Sequence, residues 1–516
     1  MKRKINHFKK LCMVPMIMFI FSACNQESKN QTEQVVDIKL SDEQILVDGT
    51  KIEKDEKNAV YAANDIIYYE DGKDFTYGEG SKKDAHSEEE AAAHTVIHIT
   101  EPGTYRLSGT LSLGQVAVDL GEDAKKNPDA VVTLILNGAD ITCEVAPAVI
   151  FYNVYECGDD DEDQATKDVD TSAAGANVII CDDTINTING SYVEKIYKPE
   201  SVVLNEEKTK VEDAKKLHKY DGAFYSRMSM NMDGEEKNTG VLNINAENEG
   251  LDSEIHLTIN GGTINILSRN DGINTNEDGI SVTTVNDGKL NIRVTGDTGE
   301  GDGIDSNGWL VINGGAVTSF ACSDSMDSGI DSDMGIHING GTVIASGNML
   351  DEIEEGGQNY AVFQFAQKQN KKEPLSLRNS DGITILEICP ENAYSVFVYS
   401  SSELKEGTYT LWSNERQFRQ GSGVMAGPGR KPGGEMPLPE GFEGKMPEGE
   451  NPFPEGFEGK MPGGENPFPE GFEGEKPGGE MPLPEGLEGK EQPEEFITEF
   501  LIKTGKNMFS NVSCME

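Results

Sequence analysis

The residues best placed to do chemistry are acids that recur at fixed positions of a repeated unit. Four copies begin Gly250-Leu251-Asp252-Ser253, Gly272-Ile273-Asn274-Thr275, Gly303-Ile304-Asp305-Ser306 and Gly329-Ile330-Asp331-Ser332. Laid over one another, they align Asp252, Asn274, Asp305 and Asp331 in one column. Glu249, Asp271, Asp302 and Ser328 form a second column, and Glu254, Asn276, Asn307 and Asp333 a third. If the copies stack as neighbouring strands, about 4.7–4.9 Å apart, carboxylates of adjacent copies can share one ion. Calcium takes oxygen ligands at about 2.3–2.6 Å, and every donor in these columns is oxygen, which suits Ca2+ and not zinc. Asp252, Asp271, Asn274, Asp302, Asp305, Asp331 and Asp333 are the expected ligands. The same acids also suit solvated Asp-Gly turns, and it is their repetition in register that favours a metal.

The elements that must position these acids are short strands. Three copies run on into an Asn-Gly-Gly turn, at Asn260 to Gly262, Asn313 to Gly315 and Asn339 to Gly341, and a second strand follows each. Starting points at Gly250, Gly272, Gly303 and Gly329 give the spacing of solenoid coils, in which each unit buries its apolar face against its neighbours. Leu251, Ile273, Ile304 and Ile330 should stack as one interior ladder, with Leu257, Leu310 and Ile336 as another. Asp221-Gly222-Ala223-Phe224 reads as a weaker fifth copy. A β-sandwich also supplies strands and glycine turns, but does not repeat side chains in register. The expected fold class is therefore all-β, a right-handed parallel β-helix. In that arrangement Trp309 and His256 face outward beside the acids and are the candidate carbohydrate-binding residues.

Charge narrows the partners. The 516 residues carry a formal charge of −47, with 91 acidic against 44 basic residues, so nucleic acid is excluded and a glycan or a divalent metal fits. At the N-terminus, Lys2, Arg3, Lys4, Lys9 and Lys10 precede an apolar run from Leu11 to Ile20. Phe21-Ser22-Ala23-Cys24 then reads as a lipobox, with Cys24 the lipidated residue and Phe21 where leucine is usual. The protein is expected at the extracellular face of the cell membrane, held there by its lipid alone. Six further cysteines, at 143, 157, 181, 322, 389 and 514, form no C-x-x-C pair and select no disulfide pairing.

Organisation follows from these signals. Residues 1–24 are the export signal, 25–35 a tether and 36–356 the β-helix. Residues 357–420 and 494–516 are expected to form a small antiparallel β-unit. Between its two parts, 421–493 is low-complexity, with Pro-Glu-Gly-Phe-Glu-Gly starting at Pro439, Pro454 and Pro469 and a Leu487 variant at Pro484. Such a Pro/Gly/Glu stretch buries too little apolar surface to order, and is expected to be a disordered insertion. Acidic residues 157–175 suggest a surface loop, and 206–219 a polar insertion with some helical character.

Two further motifs join the repeats: Gly103-Thr104-Tyr105-Arg106-Leu107-Ser108-Gly109-Thr110-Leu111, and Glu406-Gly407-Thr408-Tyr409-Thr410-Leu411. With Leu134-Ile135-Leu136-Asn137-Gly138 and the Asp-Gly-Ile-Asp and Ile-Asn-Gly-Gly copies, the chain resembles a family of bacterial extracellular carbohydrate-binding proteins over roughly residues 95 to 412. The resemblance implies a calcium-binding right-handed parallel β-helix like that of some pectate lyases, and binding of plant cell-wall polysaccharide, including acidic pectic chains. The leading expectation is non-catalytic polysaccharide binding with calcium held between coils. The alternatives are a calcium-dependent pectate lyase and a structural surface spacer or adhesin. A lyase also needs a Lys or Arg as base, and Arg269, Lys289 and Arg293 are the only basic residues near the acids in sequence. Oligomeric state is not readable.

Overall fold

The computed structural model describes residues 35–158, 162–421 and 497–515. The expected export signal with Cys24, and residues 422–496, which hold nearly all of the low-complexity stretch, lie outside the described residues. Regular secondary structure among the described residues is almost entirely strand, and most of the pairing is parallel.

The repeated units contribute their strands to three parallel ladders, except that the Gly329 copy adds none to the first. In the first, Val149–Asn153, Gly222–Ser226, Glu249–Ser253, Ile273–Thr275 and Ile304–Ser306 follow one another in chain order. In the second, Met230–Gly234, His256–Ile259, Val282–Val285, Trp309–Ile312 and Ile336–Ile338 do the same. The third runs through Val241–Ala246, Thr263–Ser268, Lys289–Val294, Ala316–Phe320 and Thr342–Gly347. Leu251 opposes Ile273 and Ile273 opposes Ile304, and all three are fully buried. Leu257 pairs with Thr283 and Thr283 with Leu310, so a buried threonine interrupts the second apolar column. The copy that lacks Asn-Gly-Gly turns instead at Asn286-Asp287-Gly288, with Gly288 at φ 91°.

The glycine that opens each copy has a different reason from turn-making. A Cβ on Gly250, Gly272 or Gly303 would stand 2.5, 2.5 and 2.4 Å from the carbonyl oxygen of the next copy's glycine. These glycines let successive units approach closely, whereas Gly262, Gly315 and Gly341 turn the chain at φ 79°, 70° and 79°.

Beyond the last copy, Thr342–Gly347 pairs antiparallel with Tyr394–Ser400, which joins the ladders to a second, aromatic core around Phe363, Phe397, Leu411 and Phe500. Strands Phe500–Ile502 and Lys506–Cys514, on the far side of the low-complexity stretch, pair with Gly407–Ser413 and Tyr360–Gln369. The segment at 206–219 carries no helix: Lys216–Tyr220 is a strand, antiparallel to Val193–Tyr197. The six described cysteines are all free thiols.

Gly303→Ala is expected to lower stability by about 1–3 kcal/mol, because its Cβ meets the Ser319 hydroxyl and the Gly329 backbone and the facing chains must separate. Denaturant unfolding measures this, and Gly299→Ala, where the added Cβ meets nothing within 4 Å although φ is 101°, should cost less.

Candidate metal centre

Parallel register brings the acids together in two groups of three carboxylates. Asp221, Glu249 and Asp252 form one, and Asp302, Asp305 and Asp331 the other, with one oxygen of each residue within 4.8 Å of the others' in its group. All are buried except Asp305, which is half-buried. At such separations, like charges repel by about 3 kcal/mol per pair in a medium of effective dielectric about 20. Burial adds a desolvation cost to each charge.

In the first group, Asn276 Nδ2 donates to Asp252 Oδ1 at 2.7 Å, Asn274 Nδ2 to Glu249 Oε1 at 3.3 Å, and Lys219 Nζ pairs with Asp221 Oδ2 at 2.7 Å. Glu249 Oε2, Asp252 Oδ2 and Asn274 Oδ1 are buried without any hydrogen-bond partner. Three orphaned oxygens, two on the converging acids and one on Asn274, suit a hard divalent cation, since an ion satisfies acceptors that have no donor. Burial, then the Asp221 and Asp252 charges, push the Glu249 carboxyl well above its usual range. Asp252 moves the same way through burial, then Asp221 and Glu254.

In the second group, Asp302 Oδ1 accepts from the Ser328 N–H at 2.6 Å. Burial raises its carboxyl well above the usual range, with Asp331 and then Asp271 adding to the effect. Asp271 lies between the groups: its Oδ1 accepts from the Asp302 N–H at 2.6 Å, and after burial the charges of Glu249 and Asp305 raise it. Asp351, from the loop after the last copy, borders this group. Its Oδ2 accepts from the Ser332 N–H at 2.9 Å, and burial with Asp331 nearby pushes it up to about 6.

Of the residues expected as ligands, Asp252 and Asn274 lie at the first group, Asp302, Asp305 and Asp331 make the second, and Asp271 stands between. Asp333 is exposed and belongs to neither; it lines a cleft of about 700 Å³ with Asp331, Asp351 and Tyr360. Asp221 and Glu249 complete the first group without having been in the expected ligand set. His256 is not an exposed residue: it is 2 % exposed, because the acidic segment passes over it at Gly158. Its Nδ1 accepts from the Val282 N–H at 3.1 Å, and burial pulls the imidazole down to about 4. Trp309 is half-buried on the second ladder, opposite Val282.

The basic residues near the acids also differ from expectation. Arg269 is paired with Glu247 at 2.7 Å and Arg293 with Glu391 at 3.0 Å. Lys216 and Lys219 come instead from the inserted strand, Lys216 pairing with Glu254 at 3.0 Å.

Mostly parallel ladders with two acid groups define an all-β protein with oxygen-rich clusters of carboxylates. The chain matches, over residues 93–159 and 163–373, the model of a family described as carbohydrate-binding domain-containing protein. That match spans more than half of the sequence, and the chain belongs to this family. No curated protein matches it. A solved polysaccharide lyase-like protein from C. thermocellum, a gadolinium derivative, aligns at 15 % identity and a TM-score of 0.33, over 62 % of this chain and 90 % of its own. So distant a likeness defines neither fold nor activity.

Carboxyls held above their unfolded values stabilise the metal-free fold at low pH, and that stabilisation is lost as pH rises through the raised values. For Asp351 the window runs from the usual 3.8 to about 6, and the buried acids extend it upward. The melting temperature of chelator-treated protein is expected to fall across this window, and a saturating divalent cation should remove most of the fall. A flat profile without cation would show that the acids are not held protonated.

Proposed function

We propose that this protein binds polysaccharide without cleaving it, on a right-handed parallel β-helix whose coils are tied by Ca2+. Its three parallel ladders, which take their strands from successive repeats, support the coil reading. Calcium fits because the donors are all oxygen and their spacing is set by strand separation. The observation that carries the reading is that the matched family region contains every residue of both acid groups. Lipid attachment at Cys24 after export is part of the proposal and rests on the basic, apolar and Phe21-Ser22-Ala23-Cys24 pattern.

A lyase is the second reading, favoured by one observation. Lys219 stands 2.7 Å from Asp221, which places an amine beside a group able to hold calcium. Burial lowers the ammonium's pKa, but the Asp221 charge and hydrogen bond outweigh this and raise it. An amine held so firmly protonated is a poor base.

Retention on polygalacturonate and cellulose, with unsaturated products followed in the ultraviolet, separates the readings. Binding that needs calcium and yields no products is expected. Asp252→Asn and Asp305→Asn should each weaken calcium affinity about tenfold or more, since each removes a charge from a group of three. Accumulating unsaturated products would replace the binding reading with the lyase, and neither retention nor products would leave a structural rod. Cys24→Ser is expected to move the protein from the membrane fraction into the medium, as a fractionation blot would show.

A further inference from the structure

A cleft of about 1220 Å³ lies beside the first acid group, between the inserted strand Lys216–Tyr220 and the strands Val149–Asn153 and Gly222–Ser226. In a chain of net charge −47, its walls set six basic side chains, Lys219 and Arg227 among them, against six acidic ones, a far more even balance than the chain as a whole. Tyr152, Tyr155 and His218 line the same cleft and are half-buried, so part of each ring stays open to it. Tyr152 packs edge-on against Tyr220 at 5.5 Å, and His218 Nδ1 shares a hydrogen bond with Tyr220 Oη at 2.7 Å, which fixes the aromatic wall. Aromatic faces meet the apolar faces of sugar rings, and Lys and Arg pair with carboxylates.

The cleft's cations differ in how firmly they are held. Arg227 and Lys125 reach Glu122 at 3.7 and 3.6 Å, and the Glu122 side chain is 77 % exposed, so these are weak surface pairs. Lys219 is different because its partner Asp221 is a member of the first acid group. A divalent ion drawn to Asp221, Glu249 and Asp252 competes with the Lys219 ammonium for the same carboxylate and repels it.

We propose that this cleft, and not the face around Trp309, is the sugar subsite. It takes the carboxylate of an acidic sugar residue against Arg227 and Lys219, and cation binding at Asp221, Glu249 and Asp252 frees Lys219 for that contact. Calcium thus switches on binding from beneath the cleft, without having to touch the sugar. This rests on the calcium-dependent polysaccharide binding proposed above.

The test uses the full chain and calorimetric titration with a short de-esterified oligogalacturonate, and with a neutral cello-oligosaccharide of equal length, each with calcium and with chelator. Calcium binding is titrated separately. Lys219→Met and Arg227→Met should each lower affinity for the acidic oligosaccharide about tenfold or more, the loss of a charge-assisted hydrogen bond. Lys219→Met should also bind calcium as tightly as wild type or tighter, because a competing ammonium is gone. Trp309→Ala should leave both affinities unchanged, and Lys219→Arg should restore oligosaccharide binding.

Wild-type affinity for the acidic oligosaccharide in both Met variants, with calcium uptake intact, would overturn the cleft while leaving polysaccharide binding standing. Binding that depends on Lys219 but is equal with calcium and with chelator would overturn the coupling. If wild type takes up calcium yet binds neither oligosaccharide, the inference falls together with the polysaccharide reading. Melting curves of the variants, expected to match wild type within a few degrees, separate lost contacts from lost fold.

Discussion

Parallel register between successive repeats is the constraint on which the other features depend. Strands about 4.7–4.9 Å apart place each side chain over its counterpart, so wherever the copies agree a column is a stack of like residues. The outcome depends on what is stacked. Apolar columns such as Leu251, Ile273 and Ile304 gain burial. Asparagine columns satisfy themselves, because an amide both donates and accepts. Asn286 donates to Asn260 at 2.8 Å, Asn313 to Asn286 at 2.9 Å and Asn339 to Asn313 at 2.8 Å, forming a continuous amide chain along the turns. Carboxylate columns cannot do this. An ionised carboxylate only accepts, so stacking acids leaves a column that repels itself and has no donors of its own.

That asymmetry accounts for the unsatisfied oxygens of the first acid group. Glu249 Oε2, Asp252 Oδ2 and Asn274 Oδ1 lie together around one acid group, within a fold whose amide ladders are otherwise well paired. Protons and a divalent cation are two ways to relieve the same repulsion, and they compete. Protonation neutralises single carboxyls and acts at low pH, as the raised values of Glu249, Asp252 and Asp302 express. A cation gathers several oxygens at once and acts where the carboxyls are ionised. The metal reading and the pH dependence of the metal-free fold are therefore two consequences of one arrangement.

How far the sequence disclosed this follows from how strictly each part repeats. The columns through Asp252, Asn274 and Asp305 were legible because the copies keep their spacing inside each strand even where the connecting loops differ. Asp221 was seen only as a weak copy because Ala223 stands between Gly222 and Phe224, the residue that opposes Leu251. Asp351 belongs to no copy at all. His256 does point away from the apolar column, as alternation requires, but a covering segment decides exposure and alternation says nothing about one. Lys219 was hidden most deeply. Its strand pairs with Val193–Tyr197 through an irregular register, and a stretch of lysines and glutamates there reads as partly helical.

The division of labour follows from that contrast. Repetition can only multiply what one unit contains, and these units contain acids, asparagines and small apolar residues. It builds the ladders and their acid groups, but in a register of stacked acids it leaves little room for basic side chains. Most cations of the large cleft come from outside the core copies, Lys125 and Lys126 from a short helical turn and Lys198, Lys216 and Lys219 from the inserted hairpin and its flank, whereas Tyr152 and Arg227 sit on or beside ladder strands. Non-repeating insertions are where such a fold acquires chemistry that stacking forbids. The pair between Lys219 and Asp221 is where inserted cation meets repeated acid, so whatever enters the acid group changes the charge the cleft presents.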